Sequence, residues 1–205
     1  MTERVVAYID GFNLYFGLKA HSGRKDLWPD LQLLVECLLR GNQELREVWY
    51  FTARTRDEPD AERRQAVYLD ALASYCPRVR RMEGRFQPRI RSCRYCQARW
   101  VGYEEKETDV NIAVALVEDA VLDTFDTALL VTADSDLCPA VAAVKRLRQA
   151  KRVIAAFPPR RNSVALTGAV DAYMRIGSGN IRSSQLPPKV VTAGGVVLER
   201  PEYWR

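Results

Sequence analysis

The chain has 205 residues, of which 47% are hydrophobic and 28% charged, the make-up of one globular domain with a sizeable core. No run of 18 apolar residues exists, which excludes a membrane-spanning helix. The opening MTERVVAYID lacks the charged, apolar and small-residue regions of a signal peptide, so a cytoplasmic location is expected. The formal net charge is +5, and its distribution says more: between Arg78 and Arg99 stand eight arginines, one acid (Glu83) and no lysine. Arginine forks suit phosphate better than a solvated ammonium does; a solvated basic loop is the plainer alternative.

In chain order, Val5-Val6-Ala7-Tyr8-Ile9 is a nearly continuous apolar run, the pattern of a strand buried on both faces, and Asp10-Gly11 ends it. Leu31 to Leu39 has helical spacing, with Gly41 as its stop. Glu47 to Phe51 reads as a second strand, and Asp60 to Tyr75 as a helix closed by Pro77. Val79 to Phe86 reads as an edge strand. Asp109 to Leu122 carries apolar residues at 110, 113, 114 and 117, which predicts an amphipathic helix. Thr127 to Thr132 is another buried strand, followed by a helix from Leu137 to Gln149 with Pro139 in its first turn. Arg152 to Phe157 is a strand, Ser163 to Ala169 a short helix and Tyr173 to Ile176 a last strand. Residues 177–205, rich in Ser, Pro and Gly, read as an extended tail packed on a 1–176 domain that carries a basic insertion at about 78–104. Alternating strands and helices predict an α/β fold: a mostly parallel central sheet with helices on both faces, whose ligand site lies beyond the carboxyl ends of the strands.

That rule directs attention to aspartates. The strand 5–9 runs into Asp10-Gly11-Phe12-Asn13, and the strand 127–132 into Ala133-Asp134-Ser135-Asp136. If the two strands are neighbours, Asp10, Asp134 and Asp136 converge. Lys106-Glu107-Thr108-Asp109 opens the amphipathic helix. Two carboxylates ~4 Å apart repel by about 4 kcal/mol at an effective dielectric of 20, and a hard, oxygen-seeking cation such as Mg²⁺ or Mn²⁺ relieves this. Such an ion can also lower the pKa of water and steady the leaving oxygen of a phosphodiester, with no need of histidine; the chain has one, His21. The plainer alternative is that Asp109, Asp134 or Asp136 only caps a helix.

Tyr-Ile-Asp-Gly-Phe-Asn (8–13), Lys-Glu-Thr-Asp-Val (106–110) and Val-Thr-Ala-Asp-Ser-Asp-Leu (131–137) resemble the three motifs of the NYN domain, a PIN-like nuclease family that includes the LabA-like group. Ser-Gln-Leu-Pro (184–187) and Arg-Pro-Glu-Tyr-Trp (200–204) resemble the end of such proteins. The resemblance implies a three-layer PIN-like sheet and a divalent-metal-dependent ribonuclease. Asp10, Asp109, Asp134 and Asp136 would be the acidic metal-binding set, and Asn13 would position a ligand or the phosphate. Lys106 would neutralise phosphate charge; Thr132 and Ser135 would hold waters at the ion. The implied mechanism is in-line attack on phosphorus by activated water, with Asp10 and Asp134 holding the ion directly, Asp109 and Asp136 as direct or water-mediated ligands, and no separate general base apparent. One departure stands out: many relatives carry an acid six residues after the second motif's Asp, where this chain has Ala115.

Cys93 and Cys96 have metal-knuckle spacing and are the candidate zinc ligands. Zinc usually needs four, and Cys37, Cys76, Cys138 and His21 supply no second close pair, so two plain thiols are the alternative. Five cysteines, most in apolar surroundings, make disulfides unexpected. Phe86, Tyr95, Trp100 and Tyr103 interleave with the arginines, which suits single-stranded nucleic acid; packing of the loop is the alternative for at least half of them. Arg89, Arg91 and Arg94, with Arg54 and Arg56 after the second strand, form the expected RNA-binding set. The leading reading is an RNA endonuclease; related folds often pair, which makes a homodimer an open expectation with no interface legible in the sequence. The alternatives are a weakly active or inactive RNA-binding regulatory module, favoured by Ala115, and a phosphoesterase acting on DNA or a small molecule.

Overall fold

The structure, a computed structural model, describes residues 2–55 and 58–204; the side chains at positions 86 and 103–105 lie outside the described residues. Six parallel strands form the central sheet: β1 (Glu3–Asp10), β2 (Gln43–Thr52), β3 (Val79–Glu83), then β6 (Thr127–Val131), β7 (Arg152–Phe157) and β8 (Ala172–Arg175). Between β3 and β6 lie β4 (Arg85–Ser92) and β5 (Arg99–Lys106), an antiparallel hairpin that forms its own two-stranded sheet. The main sheet runs β3-β2-β1-β6-β7-β8, so the strand order reverses between β1 and β6. Those are the two strands whose sequences end in carboxylates.

Residue alternation explains the layers. Val5, Ala7 and Ile9 of β1 enter one core with α1 (Gly11–Ser22), α2 (Leu31–Glu36) and α3 (Pro59–Tyr75). Val6 and Tyr8 enter the other, with α4 (Thr108–Val121), α5 (Cys138–Leu147) and α6 (Val164–Ala169). A strand apolar at every position is thus covered on both faces, as a parallel sheet requires. Pro139 falls in the first turn of α5, where its missing N–H costs nothing.

Three segments differ from the sequence expectation. Asp10-Gly11 does not simply stop β1; it starts α1, with the Asp10 side chain accepting a hydrogen bond from the Asn13 N–H. A Cβ at Gly11 would lie 2.6 Å from the Phe51 carbonyl oxygen, and one at Gly17 2.8 Å from Pro158, so both glycines let α1 sit tightly on the strand ends. Secondly, the basic insertion read at about 78–104 divides: Val79–Glu83 is the edge strand β3, as expected, and the remainder is the β4–β5 hairpin, closed by Cys93 N–H to Ala98 O at 2.9 Å with Gln97 at φ 58. Thirdly, the segment after Gly177 is not extended. It forms α7 (Ser178–Ser183), a hairpin of β9 (Lys189–Val191) and β10 (Val197–Glu199), and a 3-10 turn over Glu202–Trp204. Trp204 packs into the core beside Trp28 and Tyr68, with ring centroids 6.3 and 6.1 Å away. The cysteines also differ: of the five, all free thiols, Cys76 alone is buried.

Candidate active site

β1 ends at Asp10, buried to 5% exposure. One carboxylate oxygen accepts the Asn13 N–H at 2.9 Å and the other the Thr132 hydroxyl at 3.0 Å. Thr132, just beyond β6, also accepts the Asp134 N–H at 3.1 Å, and the Asn13 side-chain oxygen accepts the Ala133 N–H at 3.2 Å. The two strand ends are therefore stitched together by short polar side chains, which fixes Asp134 beside Asp10. Asp109 arrives from the first turn of α4. The helix is aimed there by Glu107, a non-glycine residue at φ 80 whose carboxylate pairs with Arg85 Nε at 2.6 Å at the base of the hairpin.

Asp10, Asp109 and Asp134 each present a carboxylate oxygen within 4.8 Å of the others. Ions that bind oxygen at 2.0–2.6 Å span about 4–5 Å between opposite ligands, so this spacing fits one hard divalent cation. Burial pushes the Asp10 carboxyl above its usual pKa; the Asn13 N–H and Thr132 hydroxyl oppose the shift, and the neighbouring Asp134 charge adds to it. A cation would reverse that preference.

The capping and metal readings turn out not to compete. Asp10 caps α1, and Asp134 accepts the Asp136 N–H at 2.9 Å at the head of the 3-10 turn Ser135–Leu137. Each gives one oxygen to the backbone; the second oxygen of Asp10 also accepts the Thr132 hydroxyl, and a carboxylate oxygen has a further lone pair for a cation. Asp136 does not join the group: it is exposed, with its N–H turned back to Asp134. Ser135 is likewise exposed, Lys106 is exposed at the end of β5, and Thr132 is buried against Asp10. Ala115 lies in the core face of α4, 8% exposed, so no fourth acid enters from that position.

The cleft over the carboxylates, about 380 Å³, is also walled by Phe12, Phe16 and Arg161. Arg161 was not anticipated. The signal was present: Pro158-Pro159-Arg160-Arg161 follows β7, whose carboxyl end neighbours that of β6. Of the expected RNA-binding arginines, Arg54 pairs with Glu83 at 3.0 Å, and Arg56 lies outside the described residues. Arg89, Arg91 and Arg94 are exposed along the hairpin and at its tip. Tyr95 and Trp100 are exposed there as well, while the side chains of Phe86 and Tyr103 lie outside the described residues. Cys93 and Cys96 sit at that tip, and among the described residues they gather no third metal-ligating side chain.

With this geometry in hand, comparison with known proteins is decisive on family. The NYN domain matches residues 4–177. The chain belongs to the NYN domain family. That is a PIN-like nuclease family, and the acidic group found here could hold its divalent metal. The chain is 28% identical to 6-hydroxy-3-succinoylpyridine 3-monooxygenase HspA of Pseudomonas putida, over 98% of this chain and 75% of that one. A protein of unknown function from Vibrio parahaemolyticus has a similar fold, with a TM-score of 0.57 and 18% identity, covering 90% of this chain and 97% of that one. No described helix is long and apolar enough to cross a membrane.

Proposed function

We propose that this NYN protein is a divalent-metal-dependent ribonuclease that hydrolyses internal phosphodiester bonds, with Mg²⁺ or Mn²⁺ held by Asp10, Asp109 and Asp134. The observation that carries the reading is the convergence of those three carboxylates, from β1, α4 and the loop after β6, at the point where the strand order reverses. When bound, the cation would polarise a water and neutralise charge on the phosphate. The chain's own groups do the rest. Thr132 and the Asn13 N–H fix the orientation of Asp10, and Asn13 ties the Ala133 backbone to α1. Arg161 faces the same cleft and is the side chain suited to grip a non-bridging phosphate oxygen. Lys106 and the hairpin arginines give positive charge for the flanking strand, and Asp136 takes an outer role on water rather than a direct one.

The relative named as a monooxygenase invites an oxidative reading. The donor set argues for hydrolysis instead: three hard carboxylates line the cleft, and the one histidine, His21, bonds Ser178 at 2.9 Å. Ala115 favours the second reading, a slow or inactive RNA-binding module on the same scaffold.

The test is cleavage of end-labelled single-stranded RNA, structured RNA and DNA with Mg²⁺, Mn²⁺ or EDTA, wild type beside Asp10→Asn. Metal-dependent RNA cutting lost in the variant is expected. No cutting with either metal, alongside salt-sensitive RNA binding, would favour the regulatory module. Undiminished cutting by Asp10→Asn would overturn the site assignment.

A further inference from the structure

Beside the acidic cleft lies a second cavity of about 290 Å³, mainly apolar, on the other side of α1. Four aromatic rings line it, Tyr15, Tyr50, Tyr68 and Trp204, together with leucines and one acid, Glu58. Phe12 and Phe16 border both the cavity and the cleft, so α1 forms a ridge between them. The two ridge rings are stacked at 6.5 Å with 23° between their planes, and Phe16 is 46% exposed. A phenylalanine that exposed, held in register with a neighbour above a charged cleft, is a stacking surface rather than core filling. Lys19 and Arg64 stand at the rim, and Arg64 is itself held over the Tyr203 ring at 4.3 Å.

Resting on the ribonuclease reading, we propose that this cavity receives one nucleobase of a single-stranded substrate, from the nucleotide next to the phosphate in the acidic cleft. The continuity of the two spaces through Phe12 and Phe16 supplies the argument: a strand whose phosphate lies over Asp10 crosses the α1 ridge, and a flipped-out base meets an aromatic slot. Lys19 and Arg64 at the rim then face the next phosphate. A base paired in a duplex cannot reach the slot without leaving its stack, so the cavity selects unpaired strands.

The test reads binding and cutting separately. Labelled 12-nucleotide RNAs, intact or with one abasic residue walked along the strand, are titrated in Ca²⁺ or EDTA by fluorescence anisotropy, then cut in Mg²⁺ or Mn²⁺ to map the scissile bond. One abasic position, adjacent to the mapped bond, is expected to raise Kd at least about 5-fold, the low end of base–aromatic stacking. Phe16→Ala, which alters an exposed ring, and Ala61→Trp, which fills the cavity from α3, are expected to raise Kd for intact RNA similarly and to erase the abasic penalty, with melting temperature confirming the fold. Equal binding of every abasic RNA, or a penalty that persists in both variants, would overturn the proposal. So would no RNA binding at all, or a free pyridine carboxylate occupying the cavity while abasic RNAs bind normally. Absent cleavage, with a single abasic position still weakening binding and that penalty erased in both variants, would instead count against the ribonuclease reading alone.

Discussion

The two ends of the sheet use the same residue type in opposite ways. At the amino end, Arg4 holds Asp126 at 2.7 Å and Asp123 at 3.2 Å, and Lys151 joins both acids. Hydrogen bonding to Arg4 brings the Asp126 pKa down to about 2. At the carboxyl end, three aspartates face one another, and burial pushes Asp10 the other way. Two acids with two cations are a finished structural clamp. Three gathered acids are a structure that stability alone does not call for, and that asymmetry points to function at one end only.

Altering the carboxyl end should have the largest effect. Asp10→Asn is expected to lower cleavage by about 10³-fold or more while circular dichroism and melting stay near wild type, since the amide oxygen can still cap α1. Unchanged turnover would end the contrast drawn above. Arg161→Ala should cost roughly 10- to 100-fold in kcat/KM, the range of a lost charge-assisted contact; an effect on melting alone would make it a packing residue of the loop after β7. Replacing Arg89, Arg91 and Arg94 with Gln should weaken RNA binding and reduce the slope of log Kd against log salt by about 2, at roughly 0.7 per single-strand phosphate contact. An unchanged slope would move the RNA path off the hairpin.

Two smaller effects separate cap from cluster and one end from the other. Asp134→Ala loses the cap on the Asp136 N–H and should cost about 1 kcal/mol, whereas Asp134→Asn keeps an acceptor, relieves repulsion and should melt at or above wild type in the absence of metal. If both lose stability equally, the carboxylate itself is structural. At the amino end, the Asp126 pKa is depressed on folding, so its contribution is complete above the unfolded value near 4 and is lost as pH falls toward about 2. Melting curves of wild type and Asp126→Asn should differ at pH 6 and converge near pH 2, with cleavage at pH 7 unaffected.

The sheet and the aspartate positions were legible because they depend on strong, local signals: apolar runs at 5–9 and 127–131, each ending in acid. Asp136 belongs to the same motif but stands outside the three gathered carboxylates. It is one step further along the turn than Asp134, and a turn of the backbone sends it to solvent, a difference that motif spacing does not encode. Helix α1 was missed because Phe12, Leu14, Tyr15, Phe16 and Leu18 are spread around the helix rather than along one stripe, so no periodicity marks it. The hairpin was obscured by Pro88 and by arginine at alternate positions, tolerable only because a two-stranded ribbon is all edge. The tail looked extended because its helix and hairpin are short. Its order comes from Trp204 docking beside Trp28 and from the Trp28 indole N–H donating to the Pro187 carbonyl at 3.0 Å, contacts between distant parts of the chain.

The strand order also dictates when the cleft can exist. β1 is synthesised first, but Val5 pairs with Thr127, so one flank of the central strand has no partner until most of the chain has been made. Until then Asp134 is not beside Asp10, so the full three-acid repulsion does not oppose docking of the first half of the sheet. That half can therefore collapse around α1–α3 cheaply, and the long loop closure to β6 is the late step that both completes the core and creates the acidic cleft. On the ribonuclease reading proposed above, a nascent chain would lack the gathered carboxylates of the cation site while that closure is pending.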